Sequence, residues 1–249
     1  MAILLKQLLN LEQKEYGFIS FCLGVFLLFS APAIAAIFFL ISLIISFAIN
    51  KIDIFKDKLS ISLLIVIFLM FISCIGFKIF GNSLNYQYDV PDFTHPLVGL
   101  FNWIPLIFLF LGSQSYLRRE EQRRKIGIIL ICGTIPVLFS GIAQYFFNIY
   151  GPFQFLNGLI IWYQREHHQG LTSLFNNQNL TGCILATVYP LFFASIFNKK
   201  NNSLYKFTSI FLNLILILEL VFTTSRNSLL GLVLAFLILF IPFRRKWIL

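Results

Sequence analysis

Three stretches of the chain hold residue types and spacings that could do chemistry. The first is Thr223-Thr224-Ser225-Arg226-Asn227-Ser228, set between two apolar runs. So short a turn predicts that helices on both sides hold Arg226 near a bilayer surface. A guanidinium in that place either snorkels to lipid phosphate or grips an anion as a planar fork that stays charged. The second is Glu219, inside the apolar run that ends at Thr224. At about 1.5 Å per residue it lies roughly 7–8 Å below that helix end, where a carboxylate is costly and functional by default. Glu219 and Arg226 are seven residues apart and share a helix face if the helix reaches that far. Glu219 is then a structural ion-pair partner that orients Arg226, or an acid that handles protons or touches substrate. The third is the stretch from Gly170 to Gly182, with Asn176-Asn177-Gln178-Asn179 at the entrance to an apolar run that contains Pro190. Four consecutive amides there cap a helix, and their donors and acceptors also suit sugar or phosphate oxygens.

Other polar residues carry less. His167 and His168 adjoin Arg165 and Glu166, where a general base could sit; solvated loop residues are the plainer reading. His95 before Pro96 marks an interface. Asn102, Gln144 and Asn148 fall at membrane depth, where helix–helix hydrogen bonding accounts for them. Cys22, Cys74, Cys132 and Cys183 each sit in a different apolar run. With no CxxC and no Cys/His cluster, they read as small hydrophobes, and no metal is expected.

The elements that must position these groups are membrane helices. Of 249 residues, 58% are hydrophobic and only 12% charged, and mean hydropathy is +0.84. Soluble domains carry roughly a quarter charged residues. That difference excludes a soluble globular enzyme, a disordered protein and an ordinary nucleic-acid binder. The net charge of +9 needs no nucleic acid, because Lys and Arg collect in cytoplasmic loops of bilayer proteins. A spanning helix takes about 20 apolar residues. Eight spans are predicted, at about 18–30, 33–49, 59–77, 96–112, 126–147, 180–197, 207–224 and 229–243. Pro32 favours a tight hairpin between the first two; one tilted helix is the alternative. The fold class is therefore all-α, a polytopic membrane helical bundle of about eight transmembrane helices, with residues 1–249 as a single transmembrane domain. No removable signal peptide is expected at the start of the chain.

Charge sets the orientation. With the N-terminus inside, only Lys78, Arg165 and Arg226 of the 19 Lys and Arg fall on the outer side. That positive-inside bias predicts a multi-pass protein with both termini cytoplasmic. The inner loops are short and basic. The outer loops, at about 78–95 and 148–179, are polar and hold the three stretches or adjoin them.

Two of these stretches resemble a known family. Residues 170–190 are similar to the "G-x-x-x-N-x-N, apolar run, Pro" segment of the O-antigen ligase and polymerase superfamily. Residues 221–232 resemble that family's Ser-Arg motif between two helices, and the order, spacing and outer placement of the two motifs agree. The resemblance covers about 170–240. It implies an all-helical inner-membrane bundle that transfers or polymerises glycans from an undecaprenyl-diphosphate carrier at the outer face, as in lipopolysaccharide assembly, without metal, nucleotide or other cofactor. It also implies that Arg226 holds the diphosphate, with Arg165 as a second candidate. Asn177 and Asn179 match the Asn pair and Ser225 the motif serine, binding substrate or supporting the site as Glu219 does. The implied partners are membrane lipid and the polyprenyl-diphosphate-linked glycan, and no nucleic acid.

Two departures bear on this. Gln178 stands where the family commonly has Pro. Family members also continue beyond the Ser-Arg helix pair into a large outer loop with a catalytic His. The expectation is a truncated or split member, or one that works with a partner chain, and no catalytic base is named. Cyanobacterial relatives described as inorganic-carbon transporters share the pattern. The alternative is thus a transporter of bicarbonate or another small anion using Arg226 and Glu219.

Overall fold

A computed structural model describes residues 2–49, 58–80, 94–166, 170–197 and 203–246. Eight α-helices are assigned among them: α1 (Ala2–Leu27), α2 (Pro32–Ile49), α3 (Lys58–Phe80), α4 (Thr94–Ser113), α5 (Glu120–Phe147), α6 (Gln178–Ile196), α7 (Ser203–Phe222) and α8 (Arg226–Lys246). An antiparallel hairpin of β1 (Phe153–Phe155) and β2 (Ile160–Trp162) lies between α5 and α6, with Phe153 opposite Trp162. The chain is an all-α polytopic membrane bundle. Among the described residues six helices, α2 to α7, are long and apolar enough to cross a bilayer, and residues 226–237 of α8 form a shorter apolar helix.

The helix faces are those of a protein solvated by lipid. Along α3 the exposed residues Ile65, Phe68, Leu69 and Ile72 repeat at i, i+3, i+4 and i+7, one helical stripe. On α7 the exposed stripe is Phe207, Ile210, Phe211, Leu214 and Leu218, while Ser209, Asn213, Leu216 and Leu220 are buried. Polar groups therefore face inward and large apolar ones outward, the reverse of a water-soluble helix. Asn213 illustrates why: its Nδ2 donates to the Phe192 carbonyl at 2.8 Å, a bond that lipid could not replace.

The helices group into two compact units, one of residues 1–21 and 38–122, the other of 22–37 and 123–249. In the first, Tyr116 is buried; its hydroxyl donates to the Ser42 carbonyl at 2.7 Å and its ring stacks on Phe21. Gly17 admits that hydroxyl, into which a Cβ would run. Ile67 of α3 packs with Ile107 and Leu111 of α4.

The second unit holds the three stretches with chemistry. Its core is Val137 and Leu138 of α5, Leu185, Val188, Tyr189 and Phe192 of α6, and Leu216 and Leu220 of α7, all buried. The expected break near Pro32 is a break: α1 stops at Leu27, Ala31 N–H donates to the Leu27 carbonyl at 2.8 Å, and α2 opens on the proline, which has no N–H to lose there. The loop at 78–95 lies largely outside the described residues, as do His167, His168 and the side chain of His95.

Candidate functional site

The site begins with one buried amide. Gln144, in the last turn of α5, has no exposed surface. Its Oε1 accepts from the main-chain N–H of Thr172 at 3.1 Å and of Ser173 at 2.7 Å. Its Nε2 donates to Thr172 Oγ1 at 2.9 Å and to the Arg165 carbonyl. A Gln side chain has two acceptor and two donor positions, and all four are filled. The sequence reading gave Gln144 a helix–helix bond. It holds loop backbone instead, fastening Arg165, Thr172 and Ser173 to α5.

The rest of that loop is tied equally closely. Leu171 N–H donates to the Phe222 carbonyl at 2.9 Å, and Thr181 Oγ1 donates to the Thr172 carbonyl at 2.6 Å. Ser173 Oγ donates to the Val137 carbonyl. Gly170 has φ +131°, and a Cβ there would lie 2.5 Å from the Thr223 carbonyl oxygen. That backbone shape and that approach both require glycine. On the far side of the loop, Trp162 Nε1 donates to the Ser30 carbonyl at 2.8 Å and pins the hairpin.

Asn177 then starts α6. It is the N-cap in extended conformation, and its Oδ1 accepts from Asn179 N–H at 2.7 Å. The capping role read from the four amides is present, and the amides also line a cavity. That cavity, of about 550 Å³, is walled by Arg165, Glu166, Gly170, Thr172, Asn176, Asn177, Gln178 and Asn179. Nearly every group on its wall is polar. A second cavity of about 570 Å³ runs between α6 and α8, lined by Asn179, Cys183, Ala186, Thr187, Pro190, Ser225, Asn227, Ser228, Gly231, Leu234 and Ala235. Its wall is mostly apolar. Asn179 belongs to both, so the polar cavity and the apolar groove adjoin.

The Ser-Arg junction forms one side of this groove. Helix α7 ends at Phe222 and α8 starts at Arg226, with Thr224 at φ 54° between them. Ser225 and Ser228 hydroxyls bond each other at 2.8 Å. Gly182 lets α6 approach them, since a Cβ there would meet Ser228 Oγ at 2.5 Å. Arg226 itself is exposed and lines neither cavity. Of the two arginines named from sequence, Arg165 is the one on the cavity wall.

Glu219 calls for a correction. The helix does not continue from Glu219 to Arg226, so the shared face and the ion pair do not form. Glu219 is 1% exposed, and among the described residues neither carboxyl oxygen has a hydrogen-bond partner. Its carboxyl lies in a notch at Gly141 of α5, where a Cβ would meet both oxygens at 2.5–2.6 Å. It sits against Gly141 of α5 and does not orient Arg226. Among the described residues no group of three His, Cys, Asp or Glu could hold a metal ion.

No protein-family model, no curated protein and no solved structure matches this chain.

Proposed function

We propose that the chain is an O-antigen ligase-like protein that binds a polyprenyl-diphosphate-linked glycan and serves its transfer or polymerisation at the outer face of the inner membrane. One observation carries this reading: a polar cavity with an arginine on its wall adjoins, through Asn179, an apolar groove between two membrane helices. A ligand matched to both has a charged, oxygen-rich head and a long hydrocarbon tail. Arg165 offers the head a guanidinium fork, which suits diphosphate oxygens. Asn176, Asn177 and Gln178 offer amides suited to sugar hydroxyls or phosphate. The groove offers the tail a route that stays within the bilayer's depth.

Arginine substitution tests the head. Arg165→Ala is expected to weaken binding of a lipid-diphosphate analogue by about ten- to a hundredfold, the loss of one charged hydrogen-bonding group. Arg165→Lys should not rescue it, because an ammonium lacks the two-point fork. Arg226→Ala should do less, since Arg226 stands outside the cavity. Equal affinity in wild type, Arg165→Ala and Arg165→Lys would remove Arg165 from the site. Full retention in Arg165→Lys, together with bicarbonate flux into vesicles holding the purified protein, would favour the small-anion transporter instead.

The outer placement of the cavity rests on the charge bias. A cysteine introduced at Ser203 should be labelled by an impermeant thiol reagent only from the cytoplasmic side, and one at Gln169 only from outside. The reverse pattern would turn the site to the cytoplasm and end the proposal.

A further inference from the structure

At the opposite end of the same unit lies a third cavity, unrelated to the loop site. It holds about 280 Å³ and is lined by Arg123, Arg124, Gly127, Ile128 and Ile131 of α5, Leu191, Ala194 and Ser195 of α6, and Tyr205 of α7. Two guanidiniums and a phenol thus sit beside an apolar floor. Gly127 keeps that floor open: a Cβ there would meet only Leu191 Cδ2, at an unstrained 3.8 Å. Glu120 and Glu121 open α5 but do not line the cavity.

We infer that this cavity is a binding site for an anionic glycerophospholipid, with the phosphate on Arg123 and Arg124 and the start of one acyl chain over Gly127 between α5, α6 and α7. The inference needs the bundle to stand in a membrane and owes nothing to the transfer reaction. Charge complementarity selects the headgroup. Basic pockets between membrane helices on the positively charged side hold anionic lipid heads, and guanidiniums grip phosphate in a fork. The floor selects a lipid over a free anion: Ile128, Ile131 and Leu191 gain nothing from inorganic phosphate, whereas an acyl chain removes them from contact with a polar mouth. The volume accommodates part of one chain, so the remainder of the lipid lies in the surrounding bilayer.

Native mass spectrometry of the purified full chain tests this, with phosphatidylglycerol, phosphatidylcholine and inorganic phosphate as the added probes. Wild type should retain phosphatidylglycerol in preference to phosphatidylcholine and show no retained phosphate. Arg123→Gln with Arg124→Gln should lower the phosphatidylglycerol affinity by about tenfold or more, as two charged contacts are lost. Gly127→Phe should lower it as well with every charge intact, by filling the chain's seat, while Gly127→Ala should not. Arg118→Gln with Arg119→Gln removes the same charge from outside the cavity and should leave retention unchanged. Equal losses in the two arginine pairs would reduce the effect to general surface charge and overturn the site. Retained phosphate that competes with the lipid would make it a free-anion site. Unchanged retention in Gly127→Phe would remove the acyl-chain seat; should that variant fail to fold, the two arginine pairs decide the matter alone.

Discussion

Gln144→Leu should loosen the loop between α5 and α6 without dissolving the helices. The substitution keeps the apolar bulk but leaves the Thr172 and Ser173 N–H groups without their acceptor. Both residues are buried, and each unsatisfied group costs about 1–3 kcal/mol, so the expected loss is about 2–6 kcal/mol. It should fall on the loop, because the core residues of α6 and α7 are untouched. Limited proteolysis of the purified protein should show faster cleavage within residues 148–177, with helix content by circular dichroism unchanged. Binding of a lipid-diphosphate analogue should fall with it, since Arg165 and Gly170 hang on the same fastening. Unchanged cleavage would mean that the other loop bonds suffice.

Gly170→Ala is expected to be nearly as damaging, for a different reason. Its φ of +131° is a conformation that L side chains rarely adopt, and the added Cβ would press on the Thr223 carbonyl oxygen. Such backbone strain costs of order 1–3 kcal/mol. Relief of the clash would further stretch the Leu171–Phe222 bond beside it, worth about 0.5–1.5 kcal/mol. Gly158→Ala supplies the comparison: its φ is +89°, but a Cβ there meets nothing within 4 Å. Thermal unfolding in one detergent should show a clearly larger fall in Tm for Gly170→Ala. Equal falls would mean that strain acts alone and that the close approach to the α7–α8 junction yields without cost.

Much of the architecture was legible because a bilayer leaves few ways to satisfy a backbone. The apolar runs in this chain have lengths that fit spanning helices, and Pro32 marked the first hairpin through its missing N–H. The start of α6 was legible in the four amides at 176–179, since short amides before an apolar run have that local use, and Asn177 is the one that caps. What escaped were relations between distant segments. Gln144 bonds backbone groups 28 and 29 residues away, and nothing in its neighbourhood announces the loop as its partner. Gly141 looks like any helical glycine until Glu219 from α7 fills its notch. The β1–β2 hairpin is too short for strand alternation to stand out within a polar loop. The placement of Arg226 turned on a helix break three residues long: the spacing from Glu219 suited a continuous helix, and the break at residues 223–225 separates the two.

The central claim is that head cavity and tail groove form one site for an amphiphile, and Gly231 gives direct access to it. Gly231 lines the groove, and a Cβ there would meet nothing within 4 Å. Gly231→Phe therefore blocks the groove without forcing the backbone. The measurement is the affinity of wild type and Gly231→Phe, in the same detergent, for a long-chain polyprenyl diphosphate and for a short-chain soluble diphosphate. Wild type should prefer the long chain, and Gly231→Phe should lose about tenfold or more of that affinity as buried apolar contact is removed, while its affinity for the short diphosphate stays the same. Unchanged long-chain affinity in Gly231→Phe, or equal affinity of wild type for both ligands, would contradict a tail in the groove and leave the polar cavity as a site for a small anion.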